Sequence, residues 1–189
     1  MRLNAPSQSI DFATRDIYGK VIGLRDFRGK RVMLSFFRNA GCPFCNFRIY
    51  ELTHKYKDWA HQGLEIITFF ASTPEEVLRY VAKHPRPFRM IGDINLDVYN
   101  QYGVERSAVA IFKALLFKLP RVIRGLALGN LAKKNEHPTL VPADFLVDET
   151  GVIREVWYGR DTSDHIPLKR VEAFVRQGQK RRLKAAAAA

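Results

Sequence analysis

Cys42-Pro43-Phe44-Cys45 brings together the two cysteines of this 189-residue chain, three positions apart. At the first turn of a helix that spacing lets two sulfurs meet in a small disulfide ring. The free amides and the dipole at a helix N-terminus favour a thiolate on the first cysteine. Cys42 is therefore the expected nucleophile, and Cys45, one turn further in, the thiol that resolves a mixed disulfide or sulfenic acid. Pro43 suits the first helical position, and Phe44 offers an apolar contact beside the pair. A zinc half-site and inert buried thiols are the competing readings. Zinc needs four soft or imidazole ligands, and none of His54, His61, His84, His137 and His165 forms a compact pair after the cysteines.

Other side chains near the pair could tune it. Arg38 lies four residues before Cys42 and Arg48 six after it. Either guanidinium could stabilise a thiolate or orient an oxygen-bearing substrate, or could be surface charge. Asn39 could hydrogen-bond near the thiol or simply shape the loop, and Gly41 beside it is a further substrate-site candidate. Glu51 and His54 read as structural or surface residues. His165, in Asp164-His165-Ile166-Pro167, either terminates a loop or approaches the site, the first being favoured.

The elements that must hold these groups are legible in part. An apolar run, Arg31 to Phe37, reads as a central strand leading into the cysteines. A helix from about Pro43 to Gly63 follows, with Ile49, Leu52, Tyr56 and Trp59 as its core stripe. Leu64 to Ala71 is a second buried strand. Thr73-Pro74-Glu75-Glu76 carries a cap, a proline at the first helical position and a capping-box glutamate, and Pro85 and Pro87 are expected to stop that helix. Asn95 to Tyr102 is a short helix ended by Gly103. Asp144 to Asp148 and Val152 to Tyr158 form a hairpin about Glu149-Thr150-Gly151. Pro167 begins a terminal helix burying Leu168, Val171, Phe174 and Val175. Ahead of all these, residues 9–24 suggest a small hairpin turning near Tyr18-Gly19. The order, βαβα then hairpin and helix, predicts a three-layer α/β domain around a mixed sheet.

One domain over residues 1–184 fits the length, with a helical insertion at about 104–136 and an uninformative alanine tail at 185–189. In the insertion, Ile111, Phe112, Leu115, Leu116 and Leu119 have helical spacing, and Lys113, Lys118, Arg121 and Arg124 add a basic face. A packed helical hairpin, a dimer surface or active-site lid, and a membrane-surface helix are the readings it permits. The whole chain carries 31 Lys and Arg against 19 Asp and Glu, a net +12. Arg176, Lys180, Arg181, Arg182 and Lys184 concentrate that charge near the end. It permits attraction to acidic partners but names none, and no zinc-finger or RNP pattern points to a specific nucleic acid. No apolar run is long enough to span a bilayer, and Met1 to Ser7 lack the apolar stretch of a signal peptide, so the cytoplasm is expected.

With the segments laid out, the chain resembles the thioredoxin-fold superfamily, and within it the peroxiredoxin-like alkyl hydroperoxide reductase/thiol-specific antioxidant (AhpC/TSA) branch. Asp26-Phe27-Arg28-Gly29-Lys30, Phe36 through Cys45, Tyr102-Gly103-Val104 and Val141 through Asp148 carry the likeness. The resemblance implies a thioredoxin-like fold, a nucleophilic Cys42, and a proline, here Pro142, that is often cis and faces the thiols. It implies reduction of a hydroperoxide or disulfide, with no metal or organic cofactor, and re-reduction by an external dithiol such as a thioredoxin- or glutaredoxin-like protein. A homodimer is compatible with it. Two departures stand out. Ser35 and Asn39 occupy the places of Pro and Thr/Ser in the peroxiredoxin signature Pro-x-x-x-Thr/Ser-x-x-Cys. Cys-Pro-Phe-Cys itself is similar to the Cys-Pro-Tyr-Cys of glutaredoxins. A general thiol-disulfide reductase and a noncatalytic basic binding module are the alternatives.

Overall fold

The computed structural model describes residues 2–83, 85–105, 137 and 139–187. The insertion expected at about 104–136 and His84 fall almost wholly outside the described residues, including Phe112, Leu116 and the basic face.

Strand β4 (Arg31–Phe37) is the axis of the molecule, every residue buried. It pairs in parallel with β5 (Leu64–Phe70), which pairs in parallel with β6 (Arg89–Gly92). On its other side β4 runs antiparallel to β7 (Ala143–Val147). β7 pairs with β8 (Val152–Tyr158), and β8 with the short β1 (Ser7–Gln8). The sheet is thus mixed, in the order β1-β8-β7-β4-β5-β6. β2 (Ala13–Arg15) and β3 (Val21–Gly23) form a separate antiparallel pair, the expected N-terminal hairpin.

Strand alternation sorts the core into two faces. Met33, Phe37, Ile66, Phe70 and Leu146 share one cluster with Ile49 and Leu52 of α1 (Pro43–His61), Val77 of α2 (Pro74–Tyr80) and Val171 and Phe174 of α4 (Leu168–Ala186). Leu34, Phe36, Phe69 and Phe145 share the opposite cluster with Val98 and Tyr99 of α3 (Asp97–Gln101) and with Ile22 of the small hairpin. Helix, sheet, and helix with hairpin are the three layers expected.

The start of α2 is capped as its sequence specifies. Thr73 Oγ1 accepts from the Glu76 amide at 3.3 Å, and Glu76 Oε2 accepts from the Thr73 amide at 3.4 Å. Three features correct the sequence reading. α2 ends at Tyr80, ahead of Pro85 and Pro87, so the prolines are not its stop. β6 was not foreseen: it is a four-residue strand whose identity comes from pairing with the edge of β5. The order is therefore βαβαβα before the hairpin. The Val141–Pro142 bond is trans, the one cis bond among the described residues being Ala5–Pro6. Pro142 offers its carbonyl to the Gly159 amide at 2.8 Å, one step beyond the Ala143–Tyr158 pair of the β7–β8 ladder.

Candidate active site

β4 ends at Phe37, and the chain must then turn into α1. Backbone bonds hold that turn from both sides. The Ala71 amide donates to the Arg38 carbonyl at 2.7 Å, and the Cys42 amide to the Asn39 carbonyl at 3.2 Å. The Ala40 amide donates to Ser72 Oγ at 3.0 Å. Asn46 Nδ2 donates to the Ala40 carbonyl at 2.8 Å and the Cys42 carbonyl at 3.1 Å. Tyr99 Oη, from the opposite layer, donates to the Phe37 carbonyl at 2.6 Å. Cys42 is the N-cap of α1 in extended backbone, and Pro43 takes the first helical position.

The two thiols are free and share one apolar cluster with Ile17, Phe37, Ala40 and Ile166. Cys42 is 4% exposed and Cys45 1%, so exposure hardly distinguishes the two thiols. Electrostatics separates them instead. A hydrogen bond from the Cys45 thiol carries the Cys42 pKa down to about 6. Burial opposes this, while the Arg38 guanidinium and the Cys45 and Phe44 amides assist it. Those amides lie toward the sulfur without closing a formal cap hydrogen bond. Arg38 Nη1 stands 3.7 Å from Cys42 Sγ. Cys45 goes the other way: burial, then the hydrogen bond and charge of Cys42, push its thiol well above the usual range. Near neutral pH the arrangement holds one thiolate and one protonated thiol.

The remaining expected site residues divide. Asn39 contributes its carbonyl to the Cys42 turn, and Gly41 lies half-buried inside that turn. Phe44 packs, partly buried, against the cluster that contains both cysteines. Arg48 takes a different course. Six residues beyond Cys42 is about one and two-thirds helical turns, and its buried guanidinium bonds the Ile166 carbonyl at 2.5 Å and Glu51 at 3.4 Å. Its described partners are thus a loop carbonyl and Glu51 rather than the thiols. His54 Nδ1 contacts the Tyr50 carbonyl on its own helix at 2.8 Å, a local role. The described contacts of Pro142 are to Gly159.

Sequence reasoning gave too little weight to a second polar group behind the site. Asp144, on β7, is fully buried and directly opposite Ser35 of β4. Ser35 Oγ donates to it at 2.5 Å, the Ile166 amide at 2.8 Å, and His165 Nδ1 lies 3.0 Å away. The available signal was a single polar residue within each of two apolar runs, Ser35 in 32–37 and Asp144 in Ala143–Val147. Among the described residues no group of three or more His, Cys, Asp or Glu is placed to hold a metal ion.

A mixed sheet with a Cys-x-x-Cys pair at the start of the helix after its central strand defines a thioredoxin-like protein. Solved structures agree in fold. Peroxidoxin BcpB from Mycobacterium tuberculosis superposes with a TM-score of 0.67 at 14% identity, over 91% of this chain and 96% of that one. The thiol peroxidase from Chromobacterium violaceum gives 0.64 at 14% identity, over 95% and 90%. The AhpC/TSA family model matches residues 5–156, and the chain belongs to that family. The thiol-disulfide oxidoreductase ResA of Halalkalibacterium halodurans is 34% identical over 101 residues, 53% of this chain and 57% of ResA. Peroxiredoxin Bcp of Escherichia coli is 27% identical over 93 residues, 49% of this chain and 60% of Bcp. The matched region therefore spans 57% and 60% of the length of these two relatives.

Proposed function

We propose that this protein is a thiol-dependent antioxidant oxidoreductase that reduces a hydroperoxide or a disulfide through a Cys42–Cys45 dithiol/disulfide cycle. The observation that carries the reading is the opposite displacement of the two thiols, Cys42 down to about 6 and Cys45 well above its usual range. Cys42 thiolate attacks the substrate. The Cys45 thiol, protonated and idle toward substrate, then attacks Cys42 Sγ as it gives up its proton. The internal disulfide closes, and the group on Cys42 leaves with that proton, as a thiol from a mixed disulfide or as water from a sulfenic acid. An external dithiol, of the thioredoxin or glutaredoxin kind, reopens it. Such a cycle suits the cytoplasm, where reducing equivalents are at hand.

A general disulfide reductase with little peroxidase activity is the second reading, and Asn39 favours it. That position carries a side-chain amide where the peroxiredoxin signature has a hydroxyl. Of the described charged side chains near the thiol, Arg38 is the one within 3.7 Å of Cys42 Sγ, placed to orient a peroxide. Stopped-flow oxidation of the reduced protein by a peroxide and by a protein disulfide, run in parallel, separates the two. Fast reaction with either substrate supports the dithiol cycle, and the ratio of rates chooses the substrate class. Inertness toward both would return the chain to a noncatalytic role.

A further inference from the structure

Tyr99 lies on α3, in the layer opposite the helix that carries the dithiol, and is fully buried. Its ring stands edge-on to Phe36, with centroids 5.0 Å apart, a contact that phenylalanine would make equally well. The hydroxyl has a separate task. It donates to the Phe37 carbonyl at 2.6 Å, at the end of the central strand. Burial, then the charges of Asp93 and Cys45, hold its pKa well above the usual tyrosine range, so the proton that makes this bond stays in place. α3 is itself fastened. Asp93 accepts from the Asp97 amide at 3.0 Å and the Val98 amide at 2.9 Å, and its own amide donates to the Phe70 carbonyl at 2.8 Å.

The carbonyl that Tyr99 holds belongs to the peptide whose nitrogen is that of Arg38. A trans peptide is planar, with its C=O and N–H pointing in opposite directions, so fixing one fixes the other. Here the Phe37 carbonyl turns to Tyr99, and the Arg38 amide turns toward the Cys45 sulfur. The next carbonyl, that of Arg38, accepts from the Ala71 amide at 2.7 Å. Arg38 is thus clamped on both sides while it faces both thiols, its guanidinium 3.7 Å from Cys42 Sγ. Cys45 is the thiol with more to overcome. Burial, then the hydrogen bond and charge of Cys42, raise its pKa, and the Arg38 charge and amide oppose them.

We propose that Tyr99 is a positioning residue for the resolving half of the cycle: through the Phe37–Arg38 peptide, its hydroxyl keeps the Arg38 amide turned toward the Cys45 sulfur as that sulfur gains negative charge. The assignment rests on the dithiol cycle proposed above. In a mixed disulfide of Cys42 with a group R–S, Cys45 gives up its proton and its sulfur attacks Cys42 Sγ. The Cys42–Cys45 bond forms and the bond from Cys42 to the R sulfur breaks. The R sulfur leaves with the electron pair and takes up the proton as RSH. Negative charge sits on Cys45 before the new bond is complete, and a hydrogen bond to a charged group is stronger than one to a neutral group. The same amide meets the charge that returns to Cys45 when the external dithiol attacks Cys42 in the disulfide.

The test is a single turnover of the reduced protein with a symmetrical nitroaryl disulfide, whose acidic thiol ionises to a coloured thiolate. The first equivalent released reports attack by Cys42, and the second reports resolution by Cys45. Tyr99→Phe should leave the first phase within about twofold and slow the second roughly fivefold, the factor expected for one hydrogen bond. The pH midpoint of the second phase should move upward. Tyr102→Phe is the control: its hydroxyl bonds the Ile10 carbonyl at 2.5 Å rather than the turn before α1, and its loss should change neither phase. Asp93→Asn keeps the Tyr99 hydroxyl but leaves one of the two α3 amides without its acceptor. It should slow the second phase selectively, and it decides the question if Tyr99→Phe does not fold. An unchanged second phase, equal slowing of both phases, or the same slowing in Tyr102→Phe would overturn the assignment. Release of a single equivalent by the wild-type protein would sink the dithiol cycle, whereas two equivalents with both phases unchanged in Tyr99→Phe remove only the positioning role.

Discussion

Arg38 Nη1 lies 3.7 Å from Cys42 Sγ, across the turn that joins the central strand to the first helix. A fixed positive charge at that range favours the thiolate over the thiol and assists the fall of the Cys42 pKa to about 6. Replacing Arg38 by Ala should move the midpoint of Cys42 alkylation upward. The variant should react roughly three- to tenfold more slowly near pH 6, since one unit of pKa is a factor of ten in thiolate below the midpoint. An unchanged pH profile in the folded variant would reduce Arg38 to a packing role.

The two cysteines should fail in different ways when replaced. Cys42→Ser removes the only thiol held as thiolate near neutral pH, and turnover should vanish. Cys45→Ser leaves the attack in place but removes the group that resolves it. A stable mixed disulfide or sulfenic acid on Cys42 should accumulate, visible by mass spectrometry of the intact protein. Trapping on Cys45 in the Cys42→Ser protein would reverse the roles.

Gly178 tests how α4 is fastened to the sheet. A Cβ there would overlap Arg31 Nε and sit 2.6 Å from its Cδ. That arginine is buried, bonded to Glu149 at 2.9 Å and to the Phe174 carbonyl, with its guanidinium 4.2 Å from the Phe174 ring centroid. Gly→Ala inside a helix gains about 1 kcal/mol of propensity. Overpacking here costs about 1 to 3 kcal/mol and also disturbs a buried ion pair. The overlap should win, and Gly178→Ala should lower the urea midpoint. A raised midpoint would show that Arg31 moves aside freely.

What the sequence made legible follows from range. Arg38 and Cys42 are four residues apart, so a local turn brings them together, and the β4–α1 junction carries its signals in a contiguous run of residues. The Asp144–His165–Ser35 group was illegible for the opposite reason. Ser35 and Asp144 meet only because the β4–β7 register sets them opposite each other, 109 positions apart. β6 was hidden likewise: Arg89 to Gly92 offers four residues without alternation, and its partner strand makes it a strand. Arg48 stayed open between a site role and surface charge because sequence distance does not fix the direction a helix gives a side chain, and here its buried guanidinium turns toward the Ile166 carbonyl.

Asp148 supplies an acid-sensitive tie in the β7–β8 turn. Its carboxylate accepts from the Thr150 amide and hydroxyl, the Val152 amide and Arg154 Nε. Burial opposes ionisation, yet these donors hold its pKa down to about 2. A folded value below the unfolded one, about 3.9, gives stability that is present above pH 4 and lost as pH falls toward 2. Wild type should therefore exceed Asp148→Asn in unfolding free energy at pH 6, with the gap closing between pH 4 and pH 2. A gap that stays constant across that range would contradict the assignment.

The central claim is that Cys42 and Cys45 cycle as one dithiol. It is tested most directly by oxidising the reduced protein with one equivalent of peroxide or disulfide and mapping its peptides without reduction. The account predicts a single Cys42–Cys45 linkage within the monomer, with no thiol left to alkylate. Two free thiols, or cross-links only between chains, would contradict it.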